Sequence, residues 1–377
     1  MRHALLLAVA SLFAPWAHAD VIRVGPNEAV QRIGQAARLA RDGDTIEIQP
    51  GIYRRDVAIW EQDDLRIRGS GPGVILEADG ASAEDKAIWV IRGGRIGVEN
   101  ITFRGARVRD RNGAGIRFER GALHVRNCRF VDNENGILAG NTPDARLHIE
   151  SSVFAQAPHH PGSLHHLLYV GRIGTLQIEG SRFSGGYRAH LIKTRARRNT
   201  IAYNLIDDGD DGAAAYELEF PDGGIARVVG NIIGQSGRTT NNALISYGAE
   251  GDIWDDNELI VEHNTLISRS GVGPLVQVAP QRRRPPTGRI TNNLFIGSRQ
   301  LAAGAIDTLA GNDFLPRSAL SLTHTNLESY WPIPSPRRQT SEMTPAPARE
   351  FRFPLGTRDI SADTPARVGA LQTAPDR

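Results

Sequence analysis

Four stretches of the chain repeat one pattern of apolar and polar positions: RIGVENITF (95–103), ALHVRNCRF (122–130), RLHIESSVF (146–154) and TLQIEGSRF (175–183). Counted back from the final Phe, apolar residues recur at minus seven and minus five, as Ile96/Val98, Leu123/Val125, Leu147/Ile149 and Leu176/Ile178. This alternation predicts a strand buried on one face, a two-residue bend, and a second short strand. The series continues through Ile201/Ile206, Val228/Ile233, Leu259/Val261/Leu266 and Ile290/Phe295, with successive anchors 23 to 33 residues apart. Units of this length predict coils stacked into a solenoid of β-strands. A sandwich of hairpins would alternate in direction, whereas this motif keeps one polarity.

The position two before each anchor reads Ile101, Cys128, Ser152, Ser181, Asn204, Asn231, Asn264, Asn293 in chain order. Equivalent residues of a parallel stack lie roughly 4.8 Å apart, a spacing that lets the four asparagines bond one another as an amide ladder. Cys128 falls in this inward column and reads as a packed small residue rather than a nucleophile. As the single cysteine it also excludes an intrachain disulfide framework and a cysteine-rich zinc site. Ahead of the coils, NEAVQRIGQAARLARDG (27–43) has helical spacing at Val30, Ile33, Ala37 and Ala40 and ends at Gly43. A helix there caps the open strand edge. Beyond about residue 330 the pattern stops, leaving residues 331–377 as a proline-rich extension that either runs along the solenoid wall or hangs free, with ARVGALQ (366–372) packing a last short strand.

Composition changes the picture in two places. The opening MRHALLLAVASLFAPWAHAD has a basic start, a short apolar run and Ala17-His18-Ala19 before Asp20. That is the pattern of a signal peptide over residues 1–19, and it implies export to a periplasm or the outside. The run is too short to span a bilayer, and no later stretch is long enough. Lys plus Arg number 44 against 42 Asp plus Glu, a formal charge of +2, so no global charge favours nucleic acid and any important electrostatics are local. The organisation expected is one solenoid domain over residues 20–330 between signal peptide and extension.

The opening DGDTIEIQPGIY (42–53), the recurring Asn-x-apolar strand ends and the asparagine column resemble the right-handed parallel β-helix superfamily of secreted carbohydrate-active proteins. That group includes pectate lyases, alginate lyases, mannuronan C5-epimerases and NosD-like periplasmic proteins. The resemblance covers roughly residues 21–300. It implies an all-β fold, a single-stranded right-handed parallel β-helix with a short N-terminal capping helix, and a polysaccharide partner. The DPHD motif of the C5-epimerases, a pectate-lyase calcium constellation and the acidic motif of the polygalacturonases are not found in the sequence.

The second strands align in the same way: HHLLYVG (165–171), AHLIKTR (189–195), AYELEF (215–220) and ALISYG (243–248). Leu168, Ile192, Leu218 and Ile245 then point inward, and Tyr169, Lys193, Glu219 and Ser246 outward. Two residues earlier, Leu167, Leu191, Glu217 and Leu244 are expected outward as well, and His166 and His190 stack near the strand starts. A slip of one residue would exchange the two faces.

Such a wall suits abstraction of the proton α to a uronate carboxylate. Arg195 with Arg197 or Arg198 would grip the carboxylate. Lys193, its pKa lowered by neighbouring cations, or His190 would take the C5 proton, and Tyr169 would protonate the leaving oxygen. β-Elimination or C5-epimerisation follows, according to whether the 4-linked group leaves. His166, Glu217 and Glu219 complete the substrate-binding set, the two glutamates with salt bridging as their alternative role. A non-catalytic glycan-binding or periplasmic accessory protein using the same wall is the second reading. An inverting glycoside hydrolase using Asp207, Asp208 or Asp210 is the third. No cofactor is expected. The acidic loop DDGDDG (207–212) has groups of the kind that hold Ca²⁺, although it is also ordinary turn composition. The four histidines of APHHPGSLHH (157–166) lack paired carboxylates, which argues against a metal there.

Overall fold

The computed structural model describes residues 19–251, 253–280, 286–320, 327–332, 337–338 and 344–374. The signal peptide expected at residues 1–19 therefore lies almost wholly outside the described residues, as do parts of the proline-rich segment.

Among the described residues the coils build three parallel sheets. Along each turn the chain passes first through a 12-stranded sheet (Val21–Val24 to Thr308–Ala310), next an 11-stranded one (Gly51–Arg54 to Asp313–Leu315), then a 10-stranded one (Ala58–Trp60 to Ala302–Ala303). The apolar positions at minus seven and minus five pair rung to rung, as Leu123↔Leu147↔Leu176 and Val125↔Ile149↔Ile178. The anchors stack inside the second sheet: Phe103, Phe130, Phe154 and Phe183 have ring centroids 5.0, 4.7 and 4.7 Å apart and are essentially buried. Offset aromatic stacking adds to the burial that holds each coil on the next.

The corner between the first and second sheets is the bend predicted by the sequence. Asn204 Nδ2 donates to Asn231 Oδ1 at 2.9 Å, Asn231 to Asn264 at 3.0 Å, Asn264 to Asn293 at 3.0 Å, and Asn293 to Asn312 at 3.1 Å. The same carbonyl oxygens accept the backbone N–H of the rung before, and Ser181 and Ser152 extend that pattern back to Cys128. Burial pushes the Cys128 thiol up to about 12, as suits a packing residue. Immediately before the ladder the backbone is left-handed in coil after coil, with φ of 61° at Asn100, 56° at Tyr203, 52° at His263 and 55° at Asn292. Asn and His tolerate that conformation better than most side chains; at Tyr203, which rarely adopts it, the ladder bonds of Asn204 offset the cost.

The helix is shorter than its sequence pattern. It spans Ile33–Leu39, buries Ile33, Ala36 and Ala37, and has its first N–H groups bonded by Asp56 at 2.7 and 3.0 Å. At the other end, the described residues from Tyr330 onward run along the solenoid wall rather than hanging free. Tyr330, Phe351, Val368, Ala370 and Leu371 cover Leu205, Ile232, Ile267, Leu294 and Ile296 on the outer face of the second sheet. Residues 366–372 pack there without forming a strand; the strands of this segment are the antiparallel pair Arg349–Phe351 and Thr357–Asp359. No helix among the described residues is long and apolar enough to cross a membrane.

Candidate functional site

The third sheet keeps the register read from the sequence. Leu168, Ile192, Leu218 and Ile245 pair rung to rung facing the core, while Tyr169, Lys193, Glu219 and Ser246 form the alternate, outer row. Regular parallel pairing brings these four unlike side chains onto successive rungs.

The outer row is joined by charge. Lys193 Nζ lies 2.9 Å from Glu219 and 2.7 Å from Glu250, and His190 Nε2 is 3.0 Å from the same Glu219 oxygen that Lys193 meets. Arg195 reaches Glu250 at 2.5 Å, bonds Asp222, and donates from Nε to the Tyr169 hydroxyl at 3.0 Å. Arg172 holds the other Asp222 oxygen at 2.7 Å. Trp254 donates its indole N–H to the Arg195 carbonyl at 3.0 Å, seating its own stretch of the loop against the wall. Asp222, Glu250, Arg172 and Trp254 were not legible as site residues, because they lie on corners and loops without period. Three of them lie just past a strand end, which was their signal: Arg172 after Leu168–Val170, Asp222 after Leu218–Phe220 and Glu250 after Ile245–Tyr247.

The electrostatics correct the expectation for Lys193. Burial works against its charge, but Glu250 and Glu219 outweigh burial and hold the ammonium above its ordinary value. Lys193 is therefore a charged donor in this state and not a depressed-pKa base. Glu219 and Glu250 are likewise held below the usual carboxylate value: burial opposes this, and the bonds from His190 and Lys193, and from Lys193 and Arg195, override it. His166 is driven well below the usual imidazole value by burial and the neighbouring cationic groups. Its neutral Nδ1 accepts the His190 backbone N–H at 3.3 Å, and its ring lies between Tyr169 at 5.2 Å and His190 at 5.0 Å.

Three expected members do not join this group. Glu217 is 0% exposed and lies inward with Leu167, Leu191 and Leu244, not on the outer wall. The chain turns into the strand at this position, and the whole column is swallowed by the corner. Neither carboxylate oxygen of Glu217 has a hydrogen-bond partner, and burial raises its pKa well above the ordinary value. Arg197 and Arg198 instead meet Asp256, at 2.6 and 3.7 Å. Arg198 opens the first-sheet strand Arg198–Ala202, so its face differs from that of Lys193.

The acidic loop is also committed elsewhere. Asp207 is gripped by Arg269 through two bonds of 2.8 Å and accepts the Tyr330 hydroxyl at 2.7 Å. Asp208 accepts the N–H groups of Gly186 and Ala214 at 2.6 and 2.9 Å, yet burial still pushes its carboxyl up to about 6. These contacts fasten the second sheet and the C-terminal segment together; they do not set two carboxylates across a cleft as hydrolysis requires. The four histidines turn to separate partners: His159 stacks on Tyr187, His160 accepts from Gly162, His165 bonds Pro158, and His166 joins the wall. Elsewhere, His124, His148 and Glu150 bring ligating atoms within 4.8 Å of one another on the first sheet, remote from the third-sheet wall.

No family model and no curated protein sequence matches the chain. Among solved structures it is similar to the crystal structure of pectate lyase Pel9A, with a TM-score of 0.55 and 11% identity over 94% of this chain and 96% of that one. At that identity the likeness concerns architecture: the chain has the right-handed parallel β-helix fold of the pectate-lyase type.

Proposed function

We propose that this is an exported protein acting on an acidic polysaccharide, by β-elimination or C5-epimerisation at a uronate. The observation that carries the reading is the convergence of Tyr169, His190, Lys193 and Arg195 on one outer patch of adjacent rungs. Similarity in fold to a pectate lyase supports the substrate class by analogy.

The geometry redistributes the roles. Lys193 and Arg195, both charged, neutralise the uronate carboxylate and so acidify the proton on the adjacent carbon. His190, whose Nε2 lies 3.0 Å from Glu219 and beside Lys193, is the base. Tyr169, oriented by Arg195, donates the proton to the leaving oxygen in elimination or to the opposite face of C5 in epimerisation. Asp207 and Asp208 of the acidic loop are engaged by Arg269 and by backbone N–H groups, away from these four side chains.

The test is a panel of uronate polymers and neutral glycans, read for the near-ultraviolet absorbance of an unsaturated product and for deuterium entering from labelled water. A chromophore lost in His190→Ala supports elimination. Deuterium exchange without a chromophore supports epimerisation. New reducing ends without either would sink both. The compensation of the cations by Glu219, Asp222 and Glu250 favours one second reading, a glycan-binding protein without catalysis. Saturable uronate binding with neither signal would establish it.

A further inference from the structure

The charged groups of the wall are not equivalent. Three cations, Arg172, Lys193 and Arg195, are tied to three carboxylates, Glu219, Asp222 and Glu250. The Glu219 and Asp222 side chains are 5% and 1% exposed, whereas that of Glu250 is 44% exposed. Glu250 alone bridges both Lys193, at 2.7 Å, and Arg195, at 2.5 Å, and it does so from the solvent side. One carboxylate spanning an ammonium and a guanidinium is the arrangement that a bound uronate would make with the same two residues.

We infer that Glu250 is an internal stand-in occupying the subsite of a ligand carboxylate, so that binding exchanges one anion for another. This rests on the reading of the wall as a uronate site. Exchange keeps the six-group cluster neutral, whereas a ligand carboxylate arriving beside Glu250 would bring an excess negative charge into a half-buried site. It also requires little motion. The Glu250 backbone N–H stays bonded to the Pro221 carbonyl at 2.9 Å, and a side-chain rotation clears the subsite. Neutral sugars cannot replace the lost ion pairs and leave Glu250 in place. The stand-in therefore discriminates against uncharged glycans, a repulsive device built into the site.

The experiment compares wild type, Glu250→Gln and Glu250→Asp by calorimetric titration with galacturonate and mannuronate trimers and with their methyl esters. Removing the competing anion is expected to tighten binding of a free acid about tenfold in Glu250→Gln, because a larger fraction of the protein then has a vacant subsite. The methyl esters should gain nothing. Glu250→Asp, whose shorter side chain cannot bridge both cations as well, should fall between. Thermal melts check that each variant is folded. Equal or weaker binding of both acids in Glu250→Gln, equal gains for the esters, or no binding by any protein would overturn the inference. Tighter binding without a chromophore or exchange would leave the inference standing and remove the catalytic reading. Turnover by wild type with no tightening in the variant would do the reverse.

Discussion

Two buried polar columns run along this solenoid, and they are built on opposite principles. At the corner between the first and second sheets, identical amides repeat, each donating to the next and to the backbone. On the third sheet, successive rungs present a phenol, an ammonium, a carboxylate and a hydroxyl in one row. The ladder completes itself because every rung brings both donor and acceptor. The wall is completed only from outside the row, by Glu250, Asp222 and Arg172. Repetition marks a column that stabilises; its breakdown marks a column available for chemistry.

The sharpest way to break the comparison is to cut each column once. His190→Ala should abolish turnover while leaving most of the fold's stability, since it removes only a part-exposed ring of the wall. Asn231→Ala should do the converse. Its side chain bonds Ile201, Val229 and Asn264 and accepts from Asn204. Stranding those buried partners is expected to cost about 4 kcal/mol in urea unfolding, with turnover per folded molecule preserved. If Asn231→Ala lowers activity without lowering stability, the division between the columns fails.

Glu217 sharpens the contrast further. It is a carboxyl in a column of leucines, and Glu217→Leu, matching Leu191 and Leu244, should stabilise the protein by roughly 1–4 kcal/mol at neutral pH. The sign follows from the direction of the shift. A folded-state pKa raised above the unfolded value gives stability that is full below the unfolded pKa and is lost as pH rises through the folded one. The advantage of Glu217→Leu over wild type should therefore shrink toward pH 4. Asp208→Asn tests the same logic with a defined window. Raised from 3.8 to about 6, Asp208 costs the wild type about 3 kcal/mol as pH climbs through that interval. The variant's stability relative to wild type should rise over the same interval, measured by denaturant melts at matched pH. A difference that stays flat with pH would contradict the assignment for either residue. The smallest effects belong to Arg197→Ala and Arg198→Ala. Their exposed pairs with Asp256 are worth well under about 1 kcal/mol, and neither change should alter turnover or uronate affinity.

Much of the scaffold was legible because period-two alternation, stacked in parallel, leaves few ways to bury the same residues. The anchors Phe103 to Phe295, the asparagine column and the third-sheet register all follow from that one rule. The site was legible in part, for Tyr169, Lys193, Glu219 and His190 lie in or beside regular strands. Alternation failed at Glu217, one residue before its strand, where the turning backbone sends both neighbouring positions inward.

By itself, then, the sequence determined which side chains share a row, because repeated local pattern fixes register. Tertiary structure alone decided their charge states and their partners. Lys193 is held charged rather than depressed because Glu250, 57 residues further along the chain, closes over it. Arg197 and Arg198, though adjacent in sequence to Arg195, turn a corner to another face. Coulomb interactions depend on distance in space, and in a solenoid the loops that set those distances carry no period to read.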